Sequence, residues 1–245
     1  MSEFEKEIVC LPLRGAQNVR DLGGYRTAGG GRTKQNVFVR AAKLDELTDQ
    51  DKNFLYRYGV RTVVDLRSAV EVQESPCGLL SYDDIRYANV PLIDNIHSDN
   101  LNGRYPASMS EMYIGLLKNS AVLIKQALIR LKEEKQCALF NCTAGKDRTG
   151  VMAMLLLNLA GVDRDTIIED YSASERYNTQ IKEVQQEVLN QFGVLLPDYL
   201  FESKPEQMER TLRFLESEYR DAASYMGKIG MTAKEIEALG EKFTE

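Results

Sequence analysis

The chain has 245 residues, 43% of them hydrophobic, enough for a sizeable core in one large domain or in a domain with an appended subdomain. Its formal net charge of −6 excludes a general attraction to nucleic acid or an anionic membrane, so any anion site must be a local concentration of positive charge. One histidine, and four cysteines without CxxC spacing, exclude a His-rich metal site and argue against a disulfide framework.

The N-terminal stretch MSEFEKEIVCLPLRG carries acidic residues where a secretory signal would begin basic, so a cytoplasmic protein is expected. The first 36 residues read as irregular, and NVRDLGGYRTAGGGRT within them holds five of the seventeen glycines, a composition for tight turns. Short β-type runs then alternate with helical patterns. These are NVFVR (36–40), a helix from about Thr48 to Tyr58, RTVVDL (61–66), IRYANVPL (85–92), a helix from about Ser110 to Glu134, and CALFN (137–141). Thr48 is placed to cap the first helix and Gly59 to stop it.

Such alternation predicts an α/β fold, with a central, mostly parallel sheet flanked by helices. After Gly150 the pattern turns wholly helical. VMAMLLLNLAG is apolar on nearly every face, as in a helix buried mid-domain, and its apolar run, Val151 to Leu157, is far too short to span a bilayer, so no stable membrane insertion is expected. Gly161 and Asp163 then read as a stop and a new cap. Further helices are expected from about Asp163 to Tyr177, Thr179 to Phe192, Pro205 to Gly227 and Thr232 to Phe243, the last with capping-box spacing between Thr232 and Glu235.

The stretch ALFNCTAGKDRTGVMAM (138–154) concentrates the chemistry. Cys142 ends a buried strand, and a loop of small residues leads into a buried helix. A strand–loop–helix junction aims backbone N–H groups and the positive end of a helix dipole at one point, which suits phosphate and favours a thiolate. Arg148 lies six positions on, near enough for its planar fork to hold two phosphoryl oxygens. Gly145 allows the torsions of a loop of inward-pointing amides, and Thr149 can donate its hydroxyl to the sulfur.

CTAGKDRTG resembles the CX5R phosphate-binding loop of the protein tyrosine phosphatase superfamily, and NVRDLGGY (18–25) with VVDLRSAVE (63–71) resembles its bacterial tyrosine/serine branch. The resemblance implies a cysteine-phosphatase fold in one domain, with residues 1–178 as the α/β catalytic core. Residues 179–245 would be helical, with the stretch from Thr179 to Leu200 as a lid or substrate-recognition element, or else simply packed on the sheet.

The resemblance further implies a phosphomonoesterase without metal or organic cofactor, acting on phosphotyrosine, phosphoserine/threonine or phosphoinositides and releasing inorganic phosphate. Cys142 would be the nucleophile that takes the phosphoryl group, cradled by Thr143, Ala144, Gly145, Lys146, Arg148 and Thr149. Asp147, inside the loop, is the first choice of general acid, followed by Asp65 and then by Asp94 or Asp99. For Asp65 the competing reading is an ion-pair partner of an arginine. Lys146 would hold a second phosphate, and Arg20 and Asp21 would brace the loop. The chain departs from the superfamily at Asn141, where a histidine is usual; asparagine brings hydrogen bonds but no charge, which predicts a slower enzyme. A rhodanese-like sulfurtransferase, a silent phosphate reader and a Cys142–His97 hydrolase are the competing classes.

Overall fold

A computed structural model describes residue 8 and residues 10–92, 106–177 and 197–245. Its centre is a five-stranded sheet in the order β1-β2-β5-β3-β4, built from Arg20–Asp21 (β1), Phe38–Ala41 (β2), Val60–Asp65 (β3), Arg86–Asn89 (β4) and Cys137–Asn141 (β5). β1 runs antiparallel to β2, and every other pairing is parallel, as the alternating pattern predicts. β5 lies in the middle and is buried along its whole length. A parallel strand covered on both faces reads as a continuous apolar run, and CALF does.

Strand parity divides the core. Phe38, Val64, Ala138 and Phe140 face one cluster, packed by α3 (Met109–Asn119), α4 (Ala121–Glu133), α5 (Asp147–Leu159) and the C-terminal helices. Val39, Ala41, Val63, Cys137 and Leu139 face the other, packed by Leu55 of α1 (Asp49–Tyr58) and Leu79 of a short 3-10 turn. The two faces are therefore unequally covered, and the large helical layer sits on the side to which Cys142 belongs.

Local capping sets most boundaries. Thr48 accepts from the N–H of Asp51 while the Asp51 carboxylate accepts from that of Thr48, and Gly59 at φ 101° ends α1, both as expected. Gly161 at φ 75° and an Asp163 cap separate α5 from α6 (Arg164–Ser172), and Thr232 with Glu235 closes a capping box on α10 (Ala233–Phe243). α7 is the single turn Ser174–Tyr177.

The structure corrects the sequence reading at three helix runs. The single helix expected over 110–134 is two, broken at Ser120, which ends α3 and starts α4. Serine and asparagine compete for backbone groups, so Asn119-Ser120 is a natural break. The run expected over 205–227 also divides, into α8 (Pro205–Tyr219) and α9 (Ala222–Lys228), because Arg220 takes φ 75° and Asp221 caps anew. The expected Asp163–Tyr177 helix ends at Ser172 before α7. In the segment read as irregular, β1 is a strand of two residues, too short for any periodicity to show. The helix expected over 179–192 lies outside the described residues.

Glu134 fastens the β4 edge. Its carboxylate accepts from Thr62 Oγ1 at 2.6 Å, the Gln136 N–H at 2.8 Å and Arg86 Nη2 at 2.5 Å. Burial alone would raise this carboxyl, but those donors hold it down to about 2. Its contribution to stability is therefore complete above the ordinary value of 4.5 and is lost as pH falls through about 2. Melting curves between pH 6 and pH 2 should show Glu134→Gln less stable than the parent at the upper end, with the difference shrinking steadily toward about pH 2.

Candidate active site

The loop from Cys142 to Lys146 joins the middle strand to α5, so the centre of the sheet delivers Cys142 to the start of a helix. Cys142 is buried, as are Arg148 and Thr149. The loop takes its shape from three consecutive carbonyls tied to the protein body. Thr143 O accepts from the Lys43 N–H at 3.1 Å. Ala144 O accepts from Asn18 Nδ2 at 3.0 Å, and Gly145 O accepts from Asn18 Nδ2 at 3.0 Å and from Arg40 Nη2 at 2.7 Å. In a trans peptide the N–H points opposite the C=O, so anchoring these carbonyls turns the N–H groups of Ala144, Gly145 and Lys146 the other way. None of the three donates to a described acceptor. That is an anion cradle built from backbone, with the α5 dipole behind it.

Gly145 is required there. Its φ is 64°, and a Cβ would lie 2.6 Å from the Ala41 carbonyl and the Ala42 nitrogen.

Arg148 is held by Glu71. Each terminal nitrogen of the guanidinium donates to a Glu71 oxygen at 2.8 Å, in fork-to-fork geometry. The same carboxylate accepts from the Thr143 hydroxyl and, at 2.8 Å, from the Ser68 N–H, closing the capping box of α2 (Ala69–Glu74). Burial pushes Glu71 up, but Arg148 and these further donors leave it well below the ordinary carboxylate range, so it is an anion at working pH. The sequence reading did not single out Glu71. Its signal was the Ser68-x-x-Glu71 spacing inside VVDLRSAVE, which marks a helix start and says nothing of Arg148.

Behind the loop, Arg20 donates to Asn18 Oδ1, turning the Asn18 amide nitrogen toward the loop. Arg20 and Arg40 share the buried carboxylate of Asp170, which also accepts from Tyr25 O–H at 2.9 Å. Burial would raise Asp170, but Arg40 and Arg20 overcome it and hold the carboxyl far below its ordinary value. Asn18, Arg40 and Asp170 were missed as site residues, although Asn18 opens the NVRDLGGY motif.

Other expected residues are placed differently. No described hydrogen bond joins Asp21 to the loop. Successive strand residues face opposite ways, so Arg20 points to Asn18 and Asp170 behind the loop while Asp21 accepts from the N–H groups of Gly23 (2.5 Å) and Asn36 (2.7 Å) and from Tyr58 O–H (2.6 Å). Asp65 is fully buried, binding the Arg67 guanidinium at 2.6–3.1 Å and accepting from Tyr87 O–H at 3.0 Å. This is the ion-pair geometry weighed against its acid role.

Asn141 follows Cys137 and Leu139 onto the α1 side, and neither of its amide atoms has a hydrogen-bond partner among the described residues. It does not brace the loop by the hydrogen bonds expected of it. Thr149 Oγ1 is likewise buried without a described partner, so the expected bond to the Cys142 sulfur is not formed in this geometry. Lys146 is buried, donating to Leu200 O at 2.6 Å and Glu202 O at 3.1 Å, and Asp147 Oδ1 accepts from Tyr113 O–H at 2.7 Å. Asp94, His97 and Asp99 lie outside the described residues.

Residues 11–245 match the sequence model of the tyrosine phosphatase family. The chain belongs to that family. A tyrosine-protein phosphatase of Nostoc commune is 34% identical over 218 residues, covering 83% of this chain and 73% of the relative. The triple specificity protein phosphatase PtpB of Mycobacterium tuberculosis is 27% identical over 208 residues, covering 73% of this chain and 74% of the relative. The crystal structure of TpbA from P. aeruginosa aligns at a TM-score of 0.37 and 18% identity, over 56% of this chain and 69% of that one. The protein is thus a cysteine-dependent phosphatase, and the sulfurtransferase reading falls away. No described helix of the phosphatase is long and apolar enough to cross a membrane.

Because Glu71 forks Arg148, Glu71→Gln should lower kcat/KM for an aryl phosphate on the order of 10- to 100-fold and weaken competitive inhibition by inorganic phosphate. Steady-state phosphate release with circular dichroism at matched temperature checks it; unchanged phosphate inhibition in a folded variant would show that Arg148 holds its place without Glu71.

Proposed function

We propose that this phosphatase removes phosphate from phosphorylated protein side chains, phosphotyrosine foremost, through a cysteinyl-phosphate on Cys142. The observation that carries the reading is the row of three amides at residues 144–146, without a partner among the described residues, between the nucleophile and the forked Arg148. A phosphoryl group seated on that row would meet backbone donors and the helix dipole on one side and a guanidinium on the other, with the sulfur in line for attack. As the S–P bond forms and the P–O bond breaks, charge on the equatorial oxygens stays matched by donors that need no rearrangement. Asp147 gives its proton to the leaving oxygen, and the resulting carboxylate then takes one from the water that hydrolyses the cysteinyl-phosphate to inorganic phosphate. Asp65 is a weaker candidate for that proton, because Arg67 and Tyr87 already engage its oxygens.

The relatives' names support protein phosphoesters, and that of PtpB extends the range beyond tyrosine. Lys146 bears on phosphoinositides. A second ring phosphate would have to draw its ammonium away from two carbonyls and from Asp147 Oδ1, 3.3 Å away. This arrangement favours singly phosphorylated substrates over polyphosphorylated inositols.

The test is release of phosphate from an aryl phosphate and a phosphotyrosine peptide without added metal. The parent should turn over both, and Cys142→Ser neither, with at least about a thousandfold loss, while still binding vanadate or phosphate. Residual turnover by the serine variant would remove the cysteinyl-phosphate from the reading. Turnover by neither protein, with vanadate still bound, would support a silent phosphate reader and make Asn141→His the next variant.

A further inference from the structure

Asp147 sits on the first turn of α5 with its two oxygens in unlike surroundings. Oδ1 accepts from Tyr113 O–H at 2.7 Å and lies 3.3 Å from Lys146 Nζ, whereas Oδ2 has no partner among the described residues. Tyr113, on α3, is wholly buried, and its oxygen is 2.7 Å from that of Tyr171 on α6, the rings meeting edge to face. A phenol has one proton to donate, so Tyr113 gives its own to Asp147 and accepts that of Tyr171. Burial pushes both phenols well above their ordinary value, and the charge of Asp147 adds to the effect, so both remain donors throughout the working pH range. Gly150 makes room for this approach, since a Cβ there would come within 3.3 Å of the Tyr171 ring.

From this relay we infer that Tyr113, backed by Tyr171, is a positioning residue that decides which oxygen of Asp147 carries the transferable proton. The inference rests on the reading of Asp147 as the proton donor. A hydroxyl donating into Oδ1 makes that oxygen an acceptor in both protonation states, so the proton of the neutral carboxyl resides on Oδ2. When the leaving oxygen takes it, the Oδ2–H bond and the P–O bond break together. The negative charge left on Asp147 is then met by the donors already in place on Oδ1, with no reorganisation. Tyr171 keeps Tyr113 in this role by occupying its lone pair. Without that, Tyr113 could rotate its proton away from Asp147.

Leaving-group dependence tests the inference, because an acid matters only when the departing oxygen needs a proton. Asp147→Asn, Tyr113→Phe and Tyr171→Phe are compared with the parent on phenyl phosphate and on a dinitrophenyl phosphate, whose phenolate leaves unaided. Asp147→Asn should lose about 100-fold in kcat/KM, which reports phosphoryl transfer to Cys142 and not the later hydrolysis common to both esters, on phenyl phosphate and under about threefold on the dinitrophenyl ester. Tyr113→Phe should show the same selectivity at about tenfold, with KM unchanged. If Asp147→Asn loses equally on both esters, Asp147 is not the donor, and the tyrosines' role falls with that reading. If Asp147→Asn is selective but a folded Tyr113→Phe is not, the donor stands and the positioning role is overturned. Should Tyr113→Phe fail to fold, Tyr171→Phe keeps the direct bond to Asp147 and is expected to lose about threefold on phenyl phosphate alone; no selective loss there also overturns the inference.

Discussion

The site depends on the capture of three loop carbonyls by the body of the protein. A chain leaving a strand for a helix has no reason to point successive amides the same way, because each such arrangement strains the backbone and leaves donors without acceptors. Here the Lys43 N–H, the Asn18 amide and the Arg40 guanidinium fix the carbonyls of Thr143, Ala144 and Gly145, and the amide directions follow from peptide planarity. Only glycine fits at 145, against the end of β2. Asn18 itself takes φ 55°, a left-handed conformation that asparagine tolerates better than most residues.

Two further layers make the cradle rigid. The end of α6 supplies adjacent residues with different duties. Asp170 reaches Arg20 and Arg40 below the loop, and Tyr171 reaches Tyr113 and through it Asp147. From the opposite side, α2 offers Glu71, whose capping bond to Ser68 ties the orientation of Arg148 to the helix start. The loop and Asp147 beside it are thus clasped by groups from widely separated stretches of sequence. Precision of that kind is what preorganised electrostatic catalysis requires, since donors that move as charge develops give back part of their advantage. The carbonyls of Leu200 and Glu202 complete the clasp at Lys146, linking the loop to the turn that leads into α8.

Much of this arrangement was legible in the sequence where a residue's role is local. The strand CALF, the stop at Gly59, the caps at Thr48, Asp163 and Thr232, and the need for glycine at 145 follow from spacing and torsional preference alone. Roles that depend on long-range contact were not legible. Arg40 ends an apolar strand and reads as its boundary, yet it is completely buried against Asp170, 130 residues away in sequence. Nothing in the sequence singles out Tyr113 and Tyr171, because a hydroxyl's partner leaves no periodic trace. Asp21 lies one step of strand parity from Arg20 and so meets Gly23 and Asn36, and Ser120 breaks a helix whose apolar pattern runs on through the break.

Asn141 shows how such contacts change a judgement made from one position. A neutral residue before Cys142 suggests a weaker positive field in the cradle. Yet behind the loop two guanidinium groups, Arg20 and Arg40, share the single carboxylate of Asp170, so the cluster carries one positive charge more than it neutralises. In a buried setting that excess is screened far less than at a surface, and Arg40 brings it to the Gly145 carbonyl at 2.7 Å. Burial lowers the affinity of Arg40 for its proton, Asp170 raises it, and a guanidinium of such high intrinsic basicity stays charged. Part of the field that favours an anion on the loop therefore comes from β1 and β2 at the back of the cradle, beside the loop amides, the α5 dipole and Arg148. The neutrality of Asn141 alone is then no measure of how well the cradle holds an anion.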